Sequence, residues 1–210
     1  MLNKYFDPYV DKDFIYANSA LANINCALVS LDYILNDYLH YEHDIGIYHD
    51  EHTYYFYHIQ VLLTACGNIN NIFYNCSKYG NTAITERCSR LRRRFEITEA
   101  PYKLIFQKEA RNTSVHFDER YDEVYGDLGD YNLLDKSIDI EMRETILNKH
   151  NLRAYDKENH IYYTYGRKRN RISYDFDELR AELYAMQKKI LNNPITNSAW
   201  INQHPNDILE

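Results

Sequence analysis

The sequence predicts a mainly α fold: a bundle of four to five helices with a small antiparallel β insertion before the last helix. Three observations carry that expectation. Apolar residues recur at steps of three and four through about the first 125 positions, the spacing of an amphipathic helix. Only six Gly and four Pro interrupt 210 residues of which 45% are apolar, so regular structure meets few breaks. After Gly126 the spacing changes to alternation, which suits short strands, and helical steps return near residue 176.

The first helix is predicted over about 13 to 40, with Leu21, Ile24, Leu28, Leu31, Leu35 and Tyr38 on its inward stripe. A connector, HYEHDIGIYHDEH, follows, and Asp50 is placed to cap a second long helix over about 51 to 78. That helix carries Tyr55, Ile59, Leu62, Cys66, Ile69, Phe73 and Cys76 inward, and the two long helices should pair antiparallel. Gly80 and Asn81 end it. A shorter helix over about 82 to 95 presents Ile84, Cys88, Leu91 and Phe95, and Pro101 breaks the chain before a fourth helix over about 102 to 125.

In the insertion, about 127 to 174, Ile138, Ile140 and Met142 alternate, and short strands are predicted at Leu152 to Tyr155, Ile161 to Tyr165 and Arg171 to Tyr174. Asp156 to Asn159 and Gly166 to Asn170 supply the turns. The last helix, about 176 to 192, has the stripe Phe176, Leu179, Leu183, Met186 and Ile190, with Asp175 and Glu178 as a capping pair. Residues 1–192 read as a single domain, and 193–210 as a polar tail that is either frayed or docked through Trp200.

A net charge of −7 argues against a protein that coats nucleic acid indiscriminately; an RNA-directed chain would need local basic patches. Tyr occurs 22 times, which suits half-buried interfaces and base stacking equally. Cys26, Cys66, Cys76 and Cys88 show no CxxC spacing and read as reduced, buried thiols of a cytoplasmic protein. The start, MLNKYFDPYVDKD, lacks the pattern of an export signal, and Asn18, Ser19, Asn23, Asn25, Ser30 and Asp32 break the most apolar run, so no membrane span is expected.

The chemistry concentrates in ARNTSVHFDERYDEV, residues 110 to 124. Phe106, Ala110, Thr113, Phe117, Tyr121 and Val124 form the apolar stripe of its predicted helix. At about 100° per residue, Asn112 and His116 lie roughly 40° apart, whereas Arg111 is about 140° from His116. Histidine titrates near neutrality, and arginine offers a permanent charged fork to phosphate oxygens. Asn112, one turn before His116, is placed to orient the ring or to hold a phosphate oxygen. The alternative is that Arg111 and His116 are surface residues paired with neighbours such as Asp118, Glu119 and Arg120.

Arg111, Asn112 and His116 resemble the R-N-x-x-x-H signature of the HEPN superfamily. The resemblance implies a HEPN-like helical bundle and, for many members, metal-independent endoribonuclease or toxin activity in phage defence and toxin–antitoxin systems. It also implies a homodimer in which two copies of the motif meet in one cleft, so that Arg and His spread too widely on one helix act together. An antitoxin or other regulatory protein would be a further partner. The β insertion departs from a minimal HEPN domain.

Two basic runs are candidate RNA contacts. SRLRRRFE carries Arg90, Arg92, Arg93 and Arg94 at the end of the third helix, where they would equally favour the helix dipole. GRKRNR places Arg167, Lys168, Arg169 and Arg171 on a hairpin turn flanked by Tyr162, Tyr163, Tyr165 and Tyr174; it reads either as a single-strand grip or as a solvated tip. Histidines His40, His43, His49, His52 and His58, interleaved with Glu42, Asp44, Asp50 and Glu51, include two H-x-x-H spacings. His40, His43, His49 and His52 are the alternative metal ligands, although such residues at a helix connection are usually solvated. No Walker loop, G-x-S-x-G, H-E-x-x-H or dinucleotide turn is present.

The sequence therefore points to a cytoplasmic, cofactor-free endoribonuclease of HEPN type with RNA and a second copy as partners and no membrane. A catalytically silent HEPN-like dimer acting as a binding or scaffold module, and a metal-binding helical bundle, are the competing expectations.

Overall fold

The computed structural model describes residues 12–38, 50–74, 82–116, 122, 135–138, 152–166 and 170–196. Helices α1 (Lys12–Asn36) and α2 (Glu51–Tyr74) form its longest pair. They run antiparallel: Asn68 near the end of α2 donates to Asn23 early in α1, whereas Tyr54 early in α2 donates to the Tyr33 carbonyl late in α1. Asp50 caps α2 as its position predicts, accepting the Thr53 N–H at 2.6 Å. Tyr55, Ile59, Leu62, Cys66, Ile69 and Phe73 are all buried; Cys76 lies outside the described residues.

On α1 the inward face differs from the predicted stripe. Ala17, Ala20, Ile24, Ala27, Leu31 and Ile34 are at most 2% exposed, while Leu21, Leu28 and Leu35 are only partly buried on the flank. Alanines weigh little in a hydrophobic pattern, yet they let two long helices approach closely, and the distance between axes follows the side chains at the contact. The helix also ends at Asn36 rather than near 40, because Asp37 takes a left-handed conformation with φ 49°. By length and mean hydropathy α1 would satisfy a test for a membrane span. Cys26 is exposed, unlike buried Cys66 and Cys88, which corrects the expectation of buried thiols throughout; all three are free.

His58 of α2 is buried, with its ring stacked on Tyr33 at 4.7 Å and against Tyr54 at 5.0 Å. Burial pushes its pKa down from 6.5 to about 4. The unfolded chain therefore takes up the proton first: stability from neutral His58 is full above about pH 6.5 and falls as pH drops toward 4. The loss across that window is about 3 kcal/mol. His58→Phe keeps an aromatic ring in the stack and should flatten this part of the stability profile, as measured by urea unfolding at a series of pH values.

Helix α3 (Thr82–Phe95) buries Cys88, Leu91 and Phe95 as predicted. Its basic end closes onto the start of α1, where the Asp13 carboxylate accepts from Arg90 and Arg94, each at 2.9 Å. Burial alone would raise the Asp13 pKa, but the hydrogen bonds and charges of the two arginines outweigh it and hold the carboxyl below its usual range. A depressed pKa adds stability that is present above the unfolded value and lost as pH falls through the folded one. Asp13→Asn should therefore lower stability by about 1–3 kcal/mol at neutral pH, and thermal melts should show the deficit shrinking below the ordinary carboxylate range.

The insertion folds as a four-stranded sheet in the order β1 (Ser137–Ile138), β2 (Ala154–Asp156), β3 (Ile161–Tyr165) and β4 (Arg171–Asp175). It is mixed rather than wholly antiparallel, since β1 pairs parallel with β2. The connection between those two strands is long enough to cross over, which a hairpin turn is not. The other pairs are antiparallel, with Tyr155 opposite Tyr162 and Tyr162 opposite Tyr174. Ile140 and Met142 lie outside the described residues.

Helix α5 (Phe176–Leu191) follows β4 directly, its N-cap Asp175 accepting the Glu178 N–H at 2.9 Å. Phe176, Leu179, Leu183, Met186 and Ile190 are fully buried, as their spacing predicts. Phe176 stacks on Tyr162 and tilts against Tyr155, and Tyr55 of α2 meets Tyr155 at 5.3 Å. The sheet and the bundle thus share one aromatic core. Tyr54, Tyr55, Tyr102, Tyr155, Tyr162 and Tyr174 are all buried there, so these tyrosines serve packing rather than surface stacking. Trp200 lies outside the described residues.

Candidate functional site

The helix bearing Arg111, α4 (Lys108–Val115), begins at Lys108 rather than near 102 and is capped at His116; beyond it residue 122 is helical, and the rest of the predicted span to 125 lies outside the described residues. The cause of the late start lies 78 residues away. The Glu182 carboxylate of α5 accepts the backbone N–H groups of Leu104 and Ile105 at 3.0 Å, fixing residues 103–106 as turns before the helix can begin. Burial raises the Glu182 pKa, opposed by those N–H groups, which favour the charged form. Phe106 is buried in that turn, and Phe117, Tyr121 and Val124 of the predicted stripe lie outside the described residues.

Two further contacts seat the start of α4. The Asn70 side chain of α2 donates to the Phe106 carbonyl at 3.0 Å, and the Tyr174 hydroxyl of β4 donates to the Gln107 carbonyl at 2.8 Å. The N-cap Gln107 makes no side-chain capping hydrogen bond. A cleft of about 170 Å³ opens there, lined by Gly67, Asn70, Asn71, Ile105, Gln107, Lys108, Arg111 and Asn112. Among the described residues, two cations and four side-chain amides line it, and no carboxylate does. Such a set suits an anion, since ammonium, guanidinium and amide N–H groups all donate.

Arg111 and Asn112 therefore share one cleft, but His116 does not line it. His116 is the exposed C-cap of α4, and its backbone N–H donates to the Asn112 carbonyl at 2.9 Å. Asn112 is thus joined to His116 through backbone. The Arg111 side chain lies against Gly67, and its Nε is buried without a hydrogen-bond partner among the described residues. On the opposite flank Glu109 packs over Gly166 at the root of the β3–β4 hairpin, so glycines from two elements bracket the helix.

Much of the basic run on α3 is engaged inside the fold. Arg92 donates to the Phe73 carbonyl at 2.8 Å and lies over the Tyr74 ring, while Arg94 is paired with Asp13. Arg93 is exposed. Arg167, Lys168 and Arg169 lie outside the described residues. Of the aromatics flanking them, Tyr162, Tyr165 and Tyr174 are buried, and Arg171 sits over Tyr163 and Tyr165.

His40, His43 and His49 lie outside the described residues, and His52 is exposed in the first turn of α2. Among the described residues, no three His, Cys, Asp or Glu side chains are grouped to hold a metal ion.

Sequence reasoning missed Lys108, Asn70, Asn71, Gln107 and Gly67. A signal existed for some of them. Lys108 stands three residues before Arg111 and so shares its helix face. NINN interrupts an otherwise apolar helix with three asparagines, and Gly67 is an isolated glycine in mid-helix. Comparison of the chain with protein-family models, with curated proteins and with solved structures finds no match in any of the three.

Proposed function

We propose that this chain is a metal-independent endoribonuclease of HEPN type, acting as a homodimer in a toxin-like or defence setting in the cytoplasm. The observation that carries the reading is the charge of the cleft. In a chain of net charge −7, Lys108 and Arg111 converge with Asn70, Asn71, Gln107 and Asn112 on a space that no carboxylate among the described residues lines. A phosphodiester is the anion such donors fit best in a ribonuclease.

Arg111 and Lys108 hold the phosphate and stabilise the charge that builds on the phosphorane; His116 supplies the proton chemistry. His116 does not line the cleft of its own chain, so the site needs a dimer that merges the two clefts and brings both His116 side chains to one phosphate. One histidine takes the proton from the ribose 2′-OH, whose oxygen attacks phosphorus. The other returns a proton to the leaving 5′-oxygen, leaving a 2′,3′-cyclic phosphate and a free 5′-hydroxyl.

RNA cleavage by wild type beside His116→Ala, with EDTA present and product ends analysed, tests this reading. Wild type should cut into cyclic-phosphate ends, and the variant should be slower by about 10²–10⁴-fold. Cleavage abolished by EDTA would refute it. A second reading, a catalytically silent dimer that grips phosphate as a binding module, draws support from the position of His116 outside the cleft. It expects RNA binding that His116→Ala leaves unchanged.

A further inference from the structure

We propose that Gly67 is a positioning residue: its missing side chain is the seat that holds Arg111 in the cleft. The proposal rests on the reading of Arg111 as the phosphate clamp. Gly67 lies in the interior of α2, seven residues before its end, where glycine weakens a helix relative to alanine. Nothing in the backbone of α2 calls for glycine, since Gly67 has no left-handed φ. What excludes a side chain is Arg111. A Cβ built on Gly67 would stand 2.1 Å from Arg111 Cδ and 2.3 Å from its Nε, far inside van der Waals contact.

The aliphatic stem of Arg111 therefore lies flat on bare helix backbone. Its Nε is buried and carries no hydrogen bond among the described residues. An unpartnered buried N–H is a cost that a bound oxyanion would remove. A methyl group at Gly67 leaves the helix intact, because an arginine has rotatable bonds enough to swing aside. The guanidinium is then carried out of the cleft. Gly67 thus acts on the substrate only through Arg111.

The test is a cycle of Gly67→Ala, Arg111→Ala and the double variant, with two readouts. The first is solvent exchange of the arginine Nε–H groups by heteronuclear NMR, with Arg111→Lys to assign the signal. The Arg111 Nε–H should exchange slowly in wild type and fast in Gly67→Ala, with the other arginines unmoved. The second is RNA cleavage. Gly67→Ala, Arg111→Ala and the double variant should all lose about the same 10²-fold or more, because the two changes remove one interaction.

A protected Nε–H in Gly67→Ala, or losses that multiply in the double variant, overturns the proposal. So does a Gly67→Ala protein that cuts at the wild-type rate while Arg111→Ala is dead, and the ribonuclease reading then survives alone. If wild type cuts no RNA but the Nε–H moves as expected, the seat stands and the ribonuclease reading falls. Thermal melts guard against misfolding: in the Arg111→Ala background the space is vacant, so adding Gly67→Ala should raise Tm. A fall there would assign Gly67 to another contact and overturn the proposal.

Discussion

Arg111→Ala is expected to slow RNA cleavage by about 10²–10³-fold, the usual effect of removing one donor that stabilises transition-state charge. Its folding should change little. The side chain is only partly buried, and its Nε makes no hydrogen bond among the described residues that truncation could break. Single-turnover cleavage with enzyme in excess separates the two effects. A rate loss with unchanged Tm places Arg111 at the reaction, whereas parallel losses in rate and Tm would make it a structural residue. Lys108 shares the cleft, so Lys108→Ala should weaken RNA binding and reduce its salt dependence, with a smaller effect on the chemical step.

Phe176→Ala should have the largest effect on stability, about 3–5 kcal/mol. Phe176 is fully buried at the junction of β4 and α5, stacked on Tyr162 at 6.2 Å and tilted against Tyr155 at 5.5 Å. Truncation opens a cavity where the sheet meets the bundle. A domain of ordinary stability holds only about 5–15 kcal/mol in total, so the variant should be partly unfolded at 37 °C. Guanidinium unfolding of both proteins measures the difference. A loss under about 1 kcal/mol would show that sheet and bundle are stabilised separately.

Where local chemistry decides an element, its residues announced it. Asp50 capped α2, Asp175 capped α5, and the five large residues on the α5 stripe were all buried. Where contacts from elsewhere decide it, pattern alone misled. The buried face of α1 includes Ala17, Ala20 and Ala27, which a hydrophobicity pattern undervalues. Helix α4 started six residues late because the Glu182 carboxylate, distant in sequence, took the N–H groups of Leu104 and Ile105. The parallel pairing of β1 with β2 required knowledge of a crossover that strand spacing does not contain. At the site, Arg111 and Asn112 could be named from their order on one helix. The α2 wall they face, Gly67, Asn70 and Asn71, broke the apolar pattern of its helix, but that it lies across from Arg111 emerges only from the packing of the two helices.

The hold of Glu182 on the turn before α4 also bears on synthesis. The chain leaves the ribosome from its N-terminus, so α4 and the α2 wall emerge well before residue 182 does. Until α5 follows, Leu104 and Ile105 have no carboxylate to fix them, and Tyr174 is absent from the Gln107 carbonyl. The cleft therefore gains its full frame only after Tyr174 and Glu182 have been made. Incomplete chains carry Arg111, Asn112 and His116 without the frame that arranges them.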